Sequence, residues 1–121
     1  MGNQNLQKLD RNNLVSIVND INKGRTDKAL VALDKLIKSF PDEALLFNLR
    51  GACHEAMNQF DQSIESFSKA LEIHPHYEEA LYNLGVVQKK AGRPDDAINS
   101  YQRAIAINSH NANAHNNLGN L

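Results

Sequence analysis

The sequence has no tryptophan, one cysteine and three prolines, and aromatic residues make up only 6% of it. A lone cysteine, Cys53, excludes an internal disulfide, so the fold must hold without oxidative stapling, as suits a reducing compartment. No charge sign dominates. Thirteen Lys and Arg stand against fourteen Asp and Glu, and a formal net charge of -1 offers no field to attract nucleic acid or an anionic membrane. Long apolar runs are missing as well. None approaches the roughly eighteen residues of a membrane span, and the start Met1-Gly2-Asn3-Gln4-Asn5 lacks the basic and apolar parts of a leader peptide. Myristoylation would want Ser or Thr where the chain has Leu6. These absences point to a soluble, cytoplasmic chain with neither a nucleic acid nor a membrane as partner. With 41% apolar and 22% charged residues over 121 positions, the composition fits one folded domain.

What is present is a period. A shift of 34 residues superposes Gly51 on Gly85 and Gly119, Leu30 on Ile64 and Ile98, and Asp27 on Asp61 and Asp95. The same shift carries Leu33 onto Phe67 and Tyr101, Leu36 onto Ala70 and Ala104, and Pro41 onto Pro75. Each period splits into two helical patterns around a turn, as in Ala80 to Ala91, then Gly92-Arg93-Pro94, then Asp95 to Ile107. Gly92 suits the left-handed end of a helix, and Pro94 has a φ fixed for the first turn of the next. Asp95 and Asp96 put negative charge at that helix's N-terminal end, where the macrodipole favours it. Ala97, Ile98, Tyr101, Ala104 and Ile105 recur three and four apart, an apolar stripe that a neighbouring helix must cover. One helix pair cannot cover both of its stripes, so the pairs must stack.

The pattern resembles the tetratricopeptide repeat family, in which a large residue, Leu-Gly, an aromatic, then Ala, an aromatic, Ala and Pro recur at fixed places. Residues 78–111 carry it through Leu81, Leu84, Gly85, Ala97, Tyr101 and Ala104, with Gln88 in place of an aromatic and Ser109 in place of the proline. Residues 44–77 carry it through Phe47, Gly51, Phe60, Phe67, Ala70 and Pro75, departing at Arg50, His54 and Ser63. In the first repeat Gly24, Ala29, Leu33, Leu36 and Pro41 hold register, but Leu14, Ile17, Val18 and Ile21 fall one place late. A one-residue deletion in the turn before Gly24 restores the match and sets this repeat at 11–43. Leu6 and Leu9 are expected to extend its first helix backwards over residues 1–10, starting near Asn3 to Asn5. Residues 112–121 open a fourth repeat and stop within its first helix. The resemblance thus implies an all-α, right-handed superhelical stack of antiparallel helix pairs in a single domain over 1–121. The chain is expected to be a fragment of a larger, bacterial-type protein of this family.

Candidate chemistry is sparse. Cys53 and His54 are adjacent, and neighbours on a helix point about 100° apart, so they do not form a nucleophile and base; Cys53 reads as a small core residue. His74-Pro75-His76 and His110 lack helical ligand spacing and have no carboxylate or cysteine cluster beside them. No residue is assigned to catalysis, to a cofactor or to a metal.

The resemblance implies instead a concave groove walled by the first helix of each pair. Its places fall on Asn12, Val15, Ser16, Asn19, Asn22 and Lys23 in the first repeat and on Leu45, Asn48, Leu49, Ala52, Glu55 and Ala56 in the second. The third contributes Glu79, Tyr82, Asn83, Val86, Lys89 and Lys90, and the fourth Asn113, Asn116, Asn117 and Asn120. Asn83 and Asn117 resemble the asparagine ladder of O-linked N-acetylglucosamine transferases, whose amides grip extended peptide backbone; the alternative is that Asn is simply common there. Chaperone-tail binders of the family use a Lys/Asn/Arg clamp. Here Asn19 fits one of its places, while Val15, Leu49, Glu79 and Asn83 occupy the rest. The expected function is a protein-interaction scaffold taking an extended peptide or a helix, and not an enzyme. The alternative is the docking arm of a glycosyltransferase- or sulfotransferase-like enzyme. Self-association is expected through the C-terminal edge at Leu118 and Leu121.

Overall fold

Turn chemistry divides the chain. The computed structural model describes residues 9–121 and folds them into seven helices: α1 (Arg11–Asn22), α2 (Thr26–Ser39), α3 (Ala44–Ala56), α4 (Phe60–Ile73), α5 (Glu78–Lys90), α6 (Pro94–Ile107) and α7 (Ala112–Gly119). Helices α1, α3 and α5 end alike. Gly24 and Gly92 take the left-handed conformation at φ +79 and +78, and Asn58, at the equivalent place, does so at φ 59. In each turn the following amide reaches back to a helix carbonyl: Arg25 to Asp20 at 2.7 Å, Gln59 to His54 at 2.8 Å and Arg93 to Gln88 at 2.8 Å. Three Schellman closures therefore satisfy the orphan carbonyls and reverse the chain in the same way. Pro94 is the first residue of α6 rather than part of the turn, a place where its missing N–H costs nothing. Helix α5 begins two residues earlier than the apolar pattern suggested, with Glu78 and Glu79 in its first turn.

The result is an all-α stack of antiparallel helix pairs, with no strand among the described residues. Each helix packs on the next in the chain, and α3 also touches α5. The glycines at the α3–α4 and α5–α6 crossings have a specific cause. A Cβ on Gly51 would lie 2.6 Å from the Phe67 ring, and one on Gly85 would lie 2.6 Å from the Tyr101 ring. Only a hydrogen fits where the aromatic of the second helix crosses the first. The first pair inverts the volumes: Ile17 stands at the glycine place and Leu33 at the aromatic place, both buried in one cluster with Ala29, Leu46 and Cys53.

Two expectations for the N-terminus need correction. Leu9 and Asp10 are not helical, because the Asp10 side chain accepts from the Asn12 amide at 2.9 Å and caps α1. The remainder of that expectation, with Leu6 and Asn3 to Asn5, lies outside the described residues. The deletion before Gly24 does not exist either. Lys23-Gly24-Arg25, Met57-Asn58-Gln59 and Ala91-Gly92-Arg93 are the same turn with the same bonds, so the shift of 34 runs unbroken through α1. A side-chain pair confirms the register: Asp20 meets Arg25 at 3.4 Å just as His54 meets Gln59 at 2.7 Å.

Departures from the family pattern are matched by hydrogen bonds. Arg50 donates to Ser66 at 3.0 Å and covers the Phe47 ring, while Ser100, one period after Ser66, donates to Gln88 at 2.6 Å. Ser63 donates to the Gly51 carbonyl at 2.8 Å. No buried side-chain polar atom among the described residues is left without a partner, which is why these polar replacements are tolerated in a core.

Candidate functional site

The first helices α1, α3, α5 and α7 lie in succession along the stack, and their side chains bond across repeats at a fixed offset. Asn83 donates to Asn48 at 3.2 Å, Asn117 to the Tyr82 hydroxyl at 3.1 Å, and Lys90 to Glu55 at 2.7 Å, each pair 35 residues apart. Residues 34 apart are equivalent and point the same way. One residue further turns the side chain about 100° around its helix, so one place faces forward along the stack and the next faces back to meet it. Asn48 and Glu55 are seven apart, two turns, and so share a forward face.

The expected groove residues are placed unevenly along this face. Lys89, Lys90, Glu79, Asn113, Asn116 and Asn120 are exposed, and Leu49, Ala52, Glu55, Tyr82, Asn83, Val86 and Asn117 are half-buried. Asn48 is a correction. It is 2% exposed and holds both Asn83 and Tyr77, so its amide ties repeats together and is closed to a ligand. Asn83 donates one N–H to Asn48 and, among the described residues, retains a second N–H and its carbonyl oxygen, whereas Asn117 directs its amide N–H groups to the Tyr82 and Tyr101 hydroxyls and retains its carbonyl oxygen.

The first repeat changes most. With the unbroken register, its places on this face are Arg11, Leu14, Val15, Val18, Ile21 and Asn22. A shallow cavity of about 230 Å³ is lined by four of these, Arg11, Leu14, Val15 and Val18, and by Asn19. Asn12, Ser16 and Asn19 instead correspond to Leu46, Arg50 and Cys53 of the next repeat. Leu46 and Cys53 face back onto α2 in the buried cluster, whereas Asn12, Ser16 and Asn19 are exposed. Asn12 and Ser16 lie outside that cavity, and Asn19 lines it together with Leu14, Val15 and Val18. Leu14 and Val18 were missed because the deletion placed before Gly24 shifted the expected face by one residue. The common turn at Gly24, Asn58 and Gly92 carried the signal that would have found them.

At the other end of the face, a cavity of about 350 Å³ is lined by Val86, Lys89, Lys90, Tyr101 and Asn117. The Tyr101 ring tilts against Tyr82 at 5.9 Å, and Asn117 reaches its hydroxyl at 3.5 Å. Burial holds the Tyr101 hydroxyl above its ordinary pKa despite the bond from Asn117, with Tyr82 and Glu55 adding to the rise. Tyr77 is raised by burial and then by Glu79, against the bond from Asn48.

The other chemistry-bearing residues are accounted for structurally. Cys53 is fully buried, and burial pushes its thiol up to about 11, away from the thiolate a nucleophile needs. His54 bonds Gln59 and His74 stacks on Tyr77 at 5.2 Å. At the C-terminal edge, Tyr101 is 1% exposed, Leu118 packs on the main cluster, and Leu121 is 38% exposed. No described helix is long and apolar enough to cross a membrane.

Comparison with known proteins places this geometry. The family described as tetratricopeptide repeat matches residues 42–110, more than half of the chain, and again residues 18–43. The peroxisomal targeting signal receptor of Candida albicans is 33% identical over 60 residues, 50% of this chain and 10% of that protein. The cell division cycle protein 27 homolog of Caenorhabditis elegans is 33% identical over 66 residues, 54% of this chain and 8% of that protein. The chain therefore spans about a tenth of the length of these relatives. Among solved structures, the first such domain of Spaghetti (RPAP3) bound to HSP90 peptide SRMEEVD aligns at TM-score 0.85 and 19% identity, covering 89% of this chain and 88% of that one. MamA aligns at TM-score 0.79 and 23% identity, covering 83% and 58%. At those identities the likeness shows the fold.

Proposed function

The chain belongs to the tetratricopeptide repeat family, and on that premise we propose that it is a non-catalytic scaffold that binds an extended peptide segment of another protein along the face of α1, α3, α5 and α7. One observation carries the reading. Asn83 is fixed by its bond to Asn48 yet keeps, among the described residues, an unpaired N–H and carbonyl between two cavities, and Asn117, fixed by two tyrosine hydroxyls at the border of the second cavity, keeps its carbonyl. An amide with one donor and one acceptor available matches the backbone of a strand whose own groups are unpaired, whatever its side chains. Fixing the amide beforehand lowers the entropy lost on binding.

The related domain bound to an HSP90 peptide lends support to peptide recognition in general but not to that tail. With the corrected register, the places of the family's carboxylate clamp fall on Leu14, Val18, Leu49, Glu79 and Asn83. None supplies a cation, and Glu79 would repel a carboxylate.

Selection of short random peptides against the full chain, followed by calorimetry on one selected peptide, tests the reading. Asn117→Ala should weaken that peptide by about 0.5 to 1.5 kcal/mol with helix content unchanged. Asn83→Ala should weaken it similarly and also lower the melting temperature, because Asn48 is buried and loses a partner. If both variants bind the selected peptide as tightly as the parent chain, the reading is wrong.

A further inference from the structure

The two ends of the binding face differ in chemistry, and this sets what a ligand must carry. At the α1 end, Val15 and Val18 are exposed and Leu14 is half-buried at the margin of the first core cluster. Val15 is 52% and Val18 39% exposed, and with Leu45 at 36% they account for three of the six large apolar side chains left exposed among the described residues. Leu14 and Leu49 stand 35 apart, the offset at which the later repeats place Asn48 with Asn83 and Tyr82 with Asn117. The same position along the stack is thus apolar at the first junction and polar at the next two.

At the α5–α7 end, the cavity holds two lysines. Lys90 is paired with Glu55 at 2.7 Å, while Lys89 makes no ion pair among the described residues. With Glu55 included, the pocket carries one positive charge in excess, beside the Tyr101 hydroxyl, which accepts from Asn117 and keeps its own O–H to donate. One further carboxylate would balance it.

We infer that this face takes an extended protein segment in one orientation, its apolar side chains over Leu14, Val15 and Val18 and an acidic side chain in the pocket of Lys89, Lys90 and the Tyr101 hydroxyl. The inference rests on the peptide-binding reading above and adds the chemistry of the partner. Two first-helix spacings and about two turns along the helix separate the ends by roughly 20 Å, a span of about six or seven extended residues. Charge complementarity selects an acidic group over a basic one. The fixed Asn83 amide between the ends favours an extended backbone over a helix, whose N–H and C=O groups are already paired.

The test uses synthetic fluorescein-labelled peptides in both chain orders. Each has two leucines, a spacer of Gly and Ser, and two glutamates; companions replace the glutamates by Gln or Lys, or the leucines by Ser. Anisotropy with the full chain should rank the leucine–glutamate peptide first in one chain order. Lys89→Glu, which breaks no internal pair, should weaken it by about tenfold or more and strengthen the lysine companion. Val15→Ser with Val18→Ser should weaken it by a similar factor without altering its salt dependence. Melting temperatures of these exposed-site variants verify folding. Equal affinity of the Gln, Lys and Glu peptides, or no inversion by Lys89→Glu, overturns the inference and leaves peptide binding standing. If neither these peptides nor any randomly selected peptide binds, peptide binding along this face falls with it.

Discussion

The first helix pair and the two that follow fill the same crossing with opposite volumes. In α3–α4 and α5–α6 the first helix gives a glycine and the second an aromatic ring, Gly51 with Phe67 and Gly85 with Tyr101. In α1–α2 the first helix gives Ile17 and the second Leu33, and both are buried as fully as the rings. The repeat therefore keeps the filled space between helices rather than the residue that fills it. The close-packed interior makes that space the constrained quantity. Facing outward the contrast continues: α1 shows Leu14, Val15 and Val18 where α5 and α7 show Tyr82, Asn83, Asn116 and Asn117.

The hardest test of this comparison is Gly85→Leu. Its Cβ meets the Tyr101 ring at 2.6 Å, and neither helix can retreat without opening the core, so the loss should reach about 3 kcal/mol in urea unfolding. If volume is what the crossing conserves, Gly85→Ile combined with Tyr101→Leu reproduces the first pair and should recover more than half of the loss seen for Gly85→Ile alone. No recovery would show that the two crossings differ in helix geometry and not only in filling. The reciprocal change, Ile17→Ala, removes volume that Leu33 cannot supply and should cost about 2 to 3 kcal/mol.

A smaller effect separates the halves by pH. Cys53 belongs to the cluster of the first pair, and its thiol rises from 9.0 to about 11 in the folded state. The raised value means that the unfolded chain loses its proton first, so the stabilisation is complete below pH 9 and is lost as pH climbs from 9 towards 11. At pH 10 the loss is on the order of 1.4 kcal/mol. Amide exchange in α1 and α2 should accelerate before that in α5 and α6, and Cys53→Ala should remove the difference. The buried tyrosines shift in the same direction, but Tyr101 lies in the other half.

The smallest effects come from the turns. Gly92→Ala forces a Cβ into a left-handed conformation and should cost about 1 kcal/mol, whereas Asn58→Gly relieves the same strain and should gain a few tenths. Thermal melts of the two variants check both signs. A loss on Asn58→Gly would mean that the asparagine side chain does something at its turn that glycine cannot.

Much of the fold was legible because helix pairs advertise themselves locally. The turn at Gly92 and Pro94 and the recurrence of Leu33, Phe67 and Tyr101 need only short-range chemistry to interpret. The face was less legible. On α1 the residues Leu14, Val15, Ile17, Val18 and Ile21 are all apolar, and each residue turns the side chain by about 100°, so a shift of one place exchanges core for surface. Burial resolves it: Ile17 is 2% exposed and Val15 52%. Asn48 shows the same limit from the polar side. Its sequence place is equivalent to that of half-exposed Tyr82, yet it is closed off by Tyr77 and Asn83.

The period, the pairing of helices and the left-handed turn at Gly92 follow from sequence alone, since each depends on residues near one another in the chain or at a fixed repeat. Tertiary structure was needed to show that Asn48 is structural and that Asn48 with Asn83, Glu55 with Lys90 and Tyr82 with Asn117, each pair 35 apart, bond across repeats. These follow from how one helix lies against the helix of the next repeat, and that packing depends on side-chain volumes contributed by three or four separate elements at once.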